Sequence, residues 1–442
     1  MLKTLRNALK VQEIRKRLLY TFFILVIVRI GCQVPIPGTD SSVIKDLTEQ
    51  FAGGAFSFFD AMTGGSFENM SLFALNITPY ITASIIMQLL TIAIPSLEEL
   101  QKDGEEGRKK IAEITRYMTV VLSLIESIAM AIGFGSQGLF GARASMSTAK
   151  YAGVITVAVI TMTAGSALVM WLGETINERG VGNGISIVLL INIVARIPSD
   201  FASLFEKYVV NGSSVGARGL GAILIIVAVL VLVALVVILQ GGERRIPVQY
   251  AKKIQGRKAV GGQSSNIPLK VNTAGVIPII FAQSILQFPV VIARFITGGT
   301  PEWTFYFTSS YWCKGGASLK YSIGFLVYIV MVIGFAYFYT SITFNPMEVA
   351  DNMKKQGGFI PGIRPGKPTT EYLNTMLNYI VFIGAVGLLI VASIPILFSG
   401  ITGQNLSFGG TSMIIIVGVV LETIKQIESM MVVRNYKGFL TE

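Results

Sequence analysis

Ten stretches of this chain are apolar over lengths close to a bilayer's thickness, and nothing else constrains its fold as strongly. A helix needs about 20 apolar residues to cross the hydrocarbon core. The segments lie near 18–34, 72–94, 111–134, 151–172, 182–197, 219–240, 273–293, 320–343, 373–397 and 411–430. Lipid offers no hydrogen-bond partners, so only helices or closed barrels can span it. Ten such segments predict an all-α polytopic membrane protein. The fifth is short and glycine-rich, and is expected to be partly irregular. Composition agrees: 14% of the 442 residues are charged, against roughly 25% in soluble domains.

Charge fixes the orientation. With both termini and every even-to-odd connection on one side, that side holds 26 of the 36 Lys and Arg residues. The positive-inside bias places it, and both termini, in the cytoplasm. Segment 1–17 is too basic, and the apolar run after it too long, for a cleaved signal peptide. It reads as a basic amphipathic helix at the membrane surface. The cysteines, Cys32 and Cys313, make no disulfide framework.

Catalysis finds no support. The chain has no histidine, which removes His-based acid–base work and most metal sites. There is no nucleophile elbow, phosphate-binding loop or cysteine cluster. Ionisable groups within the spans are few. Arg29 and Glu422 lie toward helix ends, from which they can snorkel to water. Glu126 is the one deep carboxylate, either paired with a neighbouring helix or on a transport path.

Two apolar segments share a pattern. Aligned on their prolines, 72–94 and 273–293 both read Pro-x-Ile-x-Ala: Pro79, Ile81, Ala83 and Pro278, Ile280, Ala282. Proline-interrupted helices at matching places in two halves point to a site at a repeat interface. Positions four apart share a helix face, which aligns Ile77, Ile81 and Ile85, with Ser84 and Gln88 beside them. In the second copy Gln283, Ser284 and Gln287 flank Ile280. Such amides are modest glue between helices, on the order of 1 kcal/mol each, so the contact can open. Ahead of the first copy, Gly53-Gly54 and Gly64-Gly65 bracket a short aromatic run, read either as a helix folded back into the bundle or as one lying on the outer surface. Loop 241–271 is strongly basic (Arg244, Arg245, Lys252, Lys253, Arg257, Lys258), and loop 344–371 is turn-rich, with Lys354, Lys355, Arg364 and Lys367. Basic clusters of this size suit nucleic acid, anionic lipid or an acidic protein surface.

Six motifs, in order, resemble the SecY family: ITPYITASIIMQLL, ERGVGNGIS, RRIPVQYAKK, AGVIPIIFAQSI, GFIPGIRPGKPT and FGGTSMIIIVGVVLE. The resemblance covers almost the whole chain. It implies ten transmembrane helices in two pseudo-symmetric five-helix halves around a central pore that conducts unfolded polypeptides and releases membrane segments sideways. It implies a pore ring of Ile77, Ile81, Ile185, Leu189, Ile280 and Ile415, Leu189 standing where the sixth ring position departs from Ile. It implies a plug near 55–66 (Phe56, Phe58, Phe59, Met62, Gly64, Gly65) and a lateral gate of helices two and seven (Ser84, Met87, Gln88, Gln283, Ser284, Gln287). The basic loops become a docking surface for the SecA motor and the ribosome with its rRNA, Arg364 matching the family's arginine.

The resemblance also divides the chain. It gives a cytoplasmic segment 1–17, an N-terminal half 18–197, residues 198–271 (outer loop, sixth helix and basic loop 241–271), helices seven to ten over 272–430 with docking loop 344–371, and a tail 431–442. Implied partners are SecE-like and SecG-like subunits, SecA, the ribosome, signal peptides, nascent chains and the bilayer of a bacterial plasma membrane; no cofactor, metal or enzymatic activity is expected. A secondary transporter would share the doubled motif but would be expected to carry a midplane ionisable network, which this sequence lacks. A membrane scaffold would not explain matched proline-bearing helices lined by isoleucine. A ring of branched apolar side chains, by contrast, fits any polypeptide loosely and can close by dewetting.

Overall fold

A computed structural model describes residues 8–50, 55–135, 138–141, 147–206, 215–250, 253–255, 258–260, 264–297, 301–313, 320–402 and 410–438. Each of the ten apolar segments falls on a helix. In chain order the elements are α1 (Gln12–Gly31), α2 (Ser41–Gln50), α3 (Ala55–Thr63), α4 (Thr78–Ala93), α5 (Pro95–Lys102), α6 (Glu105–Gly135), α7 (Thr148–Arg179), α8 (Gly184–Phe205) and α9 (Val215–Gly241). Then follow β1 (Glu243–Tyr250), β2 (Lys253–Gln255), β3 (Lys258–Val260), β4 (Ser264–Lys270), α10 (Ile277–Thr297), α11 (Ile323–Thr343), α12 (Pro346–Lys355), β5 (Gly358–Phe359), α13 (Lys367–Thr402) and α14 (Gly410–Gly438). Among the described residues four helical stretches, Glu105–Gly135, Thr148–Arg179, Lys320–Lys355 and Lys367–Leu397, are by themselves long and apolar enough to cross a bilayer.

The chain forms two compact units. One comprises Met1–Gly219, Asn405–Phe408 and Gly418–Glu442; the other comprises Leu220–Gln404 and Gly409–Val417.

In the first unit α6 packs between α4 and α7, and α8 lies against α7, α1 and α3. Arg116 Nε, 2.7 Å from Glu174 Oε1, ties α6 to α7. Close approach explains one glycine: a Cβ on Gly165 of α7 would run into the Leu72 carbonyl, so the segment leading to α4 crosses α7 at backbone distance. Ser147 starts α7, its side chain accepting from Lys150 N, as capping residues do. Ile94 is extended and Pro95 follows, because a residue before proline disfavours the helical region. The axis therefore turns by 101° from α4 into α5.

Three expectations change. The motif prolines do not interrupt their helices. Pro79 and Pro278 are each the second residue, of α4 and α10 respectively, where a missing N–H costs nothing and the fixed φ is already helical. Segments 72–77 and 273–276 are non-helical lead-ins. The fifth span is a continuous helix reaching Phe205, its irregular part confined to the turn before Gly184. The basic N-terminal segment is not a separate surface helix throughout, since Gln12 already begins the first long helix and Ala8 is buried with Ile14, Val181 and Ile427.

In the second unit α10 packs on α11, and α11 and α12 on α13. Strands from the two long loops, β1 and β4 of 241–271 and β5 of 344–371, pair into one sheet. β1 is the centre of a three-stranded antiparallel sheet, paired with β4 from Glu243↔Lys270 to Gln249↔Ser264 and with β5 through Gln249↔Phe359 and Tyr250↔Gly358. Its strand alternation buries Ile246 and Val248 with Leu269, Ala350, Met353, Ile360, Leu373 and Ile380. Asn345 caps α12, its Oδ1 accepting from Met347 N at 3.1 Å and Glu348 N at 3.5 Å.

Candidate functional site

The first unit holds the segment expected to be the plug and four of the positions expected to form the ring. α3 runs nine residues and ends at two glycines in the left-handed region, Gly64 at φ +69° and Gly65 at φ +84°. Gly64 is required twice over. A Cβ there would lie 2.7 Å from Arg29 Nη1 and 2.8 Å from the Asn192 carbonyl oxygen. Arg29 does not simply snorkel outward: its Nη1 donates to the Gly64 carbonyl at 3.2 Å. Phe59 is half-buried, Met62 buried, and Phe59 packs against Phe67 with ring centroids 6.1 Å apart. Phe56 and Phe58 lie on α3, their side chains outside the described residues.

Against α3 lies a polar cluster that sequence reasoning did not single out. Asp60, 0% exposed, is paired with Arg196 of α8. Arg196 Nη2 also lies 3.5 Å from Glu68 Oε2, and Glu68 N donates to Asp60 Oδ1 at 2.9 Å. Asn76 Nδ2 donates to the Thr63 carbonyl at 3.5 Å and faces Cys32 Sγ at 3.8 Å; Ser166 Oγ donates to the Asn76 carbonyl at 3.1 Å. Asn76 itself has φ +49°, which asparagine tolerates better than most residues. This hydrogen-bonded residue immediately precedes Ile77, so the turn that positions Ile77 is fixed by its own contacts. A signal existed: Asp60 is the one acid in an aromatic run, and Arg196 a cation at the end of an apolar one.

Ile77 is 1% exposed and precedes the first turn of α4; Ile81 is half-buried one turn on. Ile185 (8% exposed) and half-buried Leu189 stand on α8. The approach to α8 is built from the Gly-rich motif. Asn177 Oδ1 accepts from Gly184 N at 2.7 Å, Asn183 Oδ1 accepts from Ser186 N at 3.2 Å, and Gly182 turns at φ +84°. Among gate residues of this unit, Met87 is buried, Ser84 half-buried and Gln88 exposed.

In the second unit the equivalent helix start repeats this pattern. Pro79 and Pro278 are buried, Ile81 and Ile280 half-buried, and Ala83 and Ala282 both 0% exposed. Eight residues past each proline, Met87 and Leu286 are also buried, at 2% and 3%. The two copies therefore share one burial pattern over two turns and more, with Phe281 stacked on Phe335 in the second. Gln283 is half-buried, Ser284 exposed, and the Gln287 side chain lies outside the described residues. Ile415 is 6% exposed on α14. Glu126, on α6, is half-buried, with no hydrogen-bond partner for its Oε2 among the described residues.

Of the residues expected to dock partners, those described lie on the strands or beside the three-stranded sheet. Arg244 and Arg245 are exposed on β1, Arg245 reaching back to Glu243. Lys354, Lys355, Arg364 and Lys367 are exposed. Arg364 sits in the turn before α13, where its carbonyl accepts from Thr369 Oγ1 at 2.9 Å, so the backbone is fixed while the guanidinium faces solvent. Lys253 and Lys258 fall on β2 and β3 without described side chains, and Lys252 and Arg257 lie outside the described residues.

Comparison with known proteins adds an independent line. A family model described as SecY matches residues 71–424. The protein translocase subunit SecY of Streptomyces scabiei is 46% identical over 449 residues, covering 100% of both chains. Its counterpart in Mycobacterium tuberculosis is 41% identical over 453 residues, again with 100% coverage of both. Among solved structures, a protein-conducting channel aligns with a TM-score of 0.62 at 20% identity, covering 94% of this chain and 92% of that one. A SecY structure whose plug domain is described as stabilising the closed state and maintaining a membrane seal aligns with a TM-score of 0.63 at 19% identity, with the same coverage. Canine Sec61 in a ribosome–channel complex gives 0.61 at 18% identity, over 94% of this chain and 92% of that one.

Proposed function

The chain belongs to the SecY family, and we propose that it is the protein-conducting subunit of a translocase in a bacterial plasma membrane, with both termini in the cytoplasm. The observation that carries this reading is the doubled helix start, with isoleucine at the same motif position and half-buried in both copies. Ile77, Ile81, Ile185, Leu189, Ile280 and Ile415 form the apolar constriction. Helix α3 and Gly64-Gly65 form the plug. α4 and α10 are the edges of the lateral gate, where Ser84, Met87, Gln88, Gln283, Ser284 and Gln287 make a seam weak enough to part.

The physics favours these roles. A translocating polypeptide presents every side-chain type, so its pore must offer no specific partner. Branched apolar groups meet that need and expel water when the pore is empty. The channel is not itself an enzyme: a motor resembling SecA or a ribosome drives the chain. Each docks on the exposed cations around the sheet, and SecE-like and SecG-like subunits complete the complex. The cytoplasmic orientation is supported by the Lys and Arg bias across the loops.

The test is to arrest a secretory chain during export through variants carrying cysteine in place of Ile77 or Ile280. Crosslinks from both positions to the arrested chain are expected. Crosslinks to neither would remove these residues from the path.

A further inference from the structure

The polar cluster under α3 is more than packing, and the specific role its layout points to rests on reading α3 as the plug. A buried carboxylate is costly unless it is paired and hydrogen-bonded. Asp60, at 0% exposure, has both: Arg196 for its charge and the Glu68 amide for Oδ1. The same guanidinium also reaches Glu68 at 3.5 Å. Arg196 thus serves two acids in the 55–71 segment, and it does so from α8, the helix that carries Ile185 and Leu189.

The two acids lie on opposite sides of the glycine pair. Asp60 is on α3, before Gly64-Gly65. Glu68 comes after them, in a stretch held to the body of the unit: Ile36 N donates to the Met70 carbonyl at 2.9 Å, and Leu72 N to the Val34 carbonyl at 2.8 Å. Left-handed glycines are where a chain can swing cheaply. A swing about them carries Asp60 away and leaves Glu68 in place. Arg196, with its side chain 21% exposed, would then keep one acid and gain water.

We propose that Asp60 and Arg196 are the latch that holds the plug closed, with Glu68 retaining the guanidinium when the latch opens. This division makes release discrete. The closed state has a fully paired carboxylate, and the open state strands no buried charge, because Asp60 moves toward solvent while Arg196 remains paired. Apolar packing alone would resist plug movement gradually. A charge pair across a hinge gives two states.

The test uses the full-length channel with its membrane partners in planar bilayers, recording resting open probability. Asp60→Asn and Arg196→Gln are each expected to raise it at least tenfold, and the double variant to be no leakier than the worse single one, as coupled residues behave. Asp60→Glu, which keeps the charge, is expected to stay near wild type, and Glu68→Gln, which removes the acid that holds Arg196 after release, is expected to open less readily than wild type. A purely structural role for Asp60 would make Asp60→Glu leak as Asp60→Asn does, and that result overturns the proposal. If a single variant does not accumulate folded, the double variant still decides, since it leaves no unpaired buried charge; wild-type leak from it also overturns the latch. Deletion of residues 57–65 separates the two readings. A leaky deletion with tight Asp60→Asn and Arg196→Gln channels sinks the latch alone, whereas a tight deletion sinks the plug reading itself.

Discussion

Gly64 and Gly65 stand side by side in the same backbone region, yet alanine should affect them differently. An L-residue in the left-handed region costs about 1–2 kcal/mol, and both substitutions incur it, since the φ values are +69° and +84°. For Gly65 nothing lies within 4 Å of the added Cβ, so the backbone term stands alone. For Gly64 the Cβ would crowd Arg29 Nη1 at 2.7 Å and the Asn192 carbonyl oxygen at 2.8 Å. The carbonyl belongs to a helix and cannot swing away; Arg29 can, at the cost of its hydrogen bond to Gly64. A bond to a charged donor is worth about 1.5–3 kcal/mol, so Gly64→Ala should cost that much more than Gly65→Ala. At roughly 1.4 kcal/mol per factor of ten, the gap is about ten- to a hundredfold in local opening. Hydrogen exchange followed by mass spectrometry, on channels in lipid nanodiscs, reads this directly. The reporters are Phe67 N, bonded to Thr63 Oγ1, and Asn69 N, bonded to the Gly65 carbonyl. Equal acceleration by the two variants would refute the steric argument, and with it the claim that Arg29 braces the end of α3.

The same geometry sets other outcomes. Replacing both Ile81 and Ile280 with glycine while deleting 57–65 should raise resting ion conductance in reconstituted bilayers, and an unchanged leak would count against the ring-and-plug seal. Arg364→Glu should impair motor-driven export or ribosome docking without lowering the amount of folded channel, because the side chain is exposed and its backbone is held through Thr369; normal export would remove it from the docking surface. Leu373→Ala, at a fully buried position in the core beneath the sheet, should cost about 2–5 kcal/mol, seen as faster proteolysis within 241–271.

What the sequence revealed and what it hid divide along the range of the interactions. Every long apolar run became a helix, because solvation by lipid is decided residue by residue along one segment. The doubled motif is visible in the sequence, but its prolines read there as interruptions; where a helix starts depends on the lead-in, and 72–77 is as apolar as the helix it precedes. The Ile246–Val248 alternation was present in RRIPVQY, yet a strand at the end of a long helix exists only when it finds partners, and β5 comes from a different loop. Asp60 and Arg196 looked ordinary for the same reason. Each lies alone in its own segment, and only folding makes them a pair.

The three-stranded sheet has a mechanical consequence. β1 continues α9 with one residue between them, β4 leads into α10, and β5 joins α12 to α13. A glycine at 384 lets α13 pass at backbone distance from Val271, just beyond β4, and a second at 387 admits the Leu239 side chain of α9. A load placed on this sheet is therefore shared by several helix ends at once. The loop-bearing face of this unit works as a handle rather than a set of loose tethers, and torque applied by whatever grips it reaches the helices as tilt instead of dissipating in the loops.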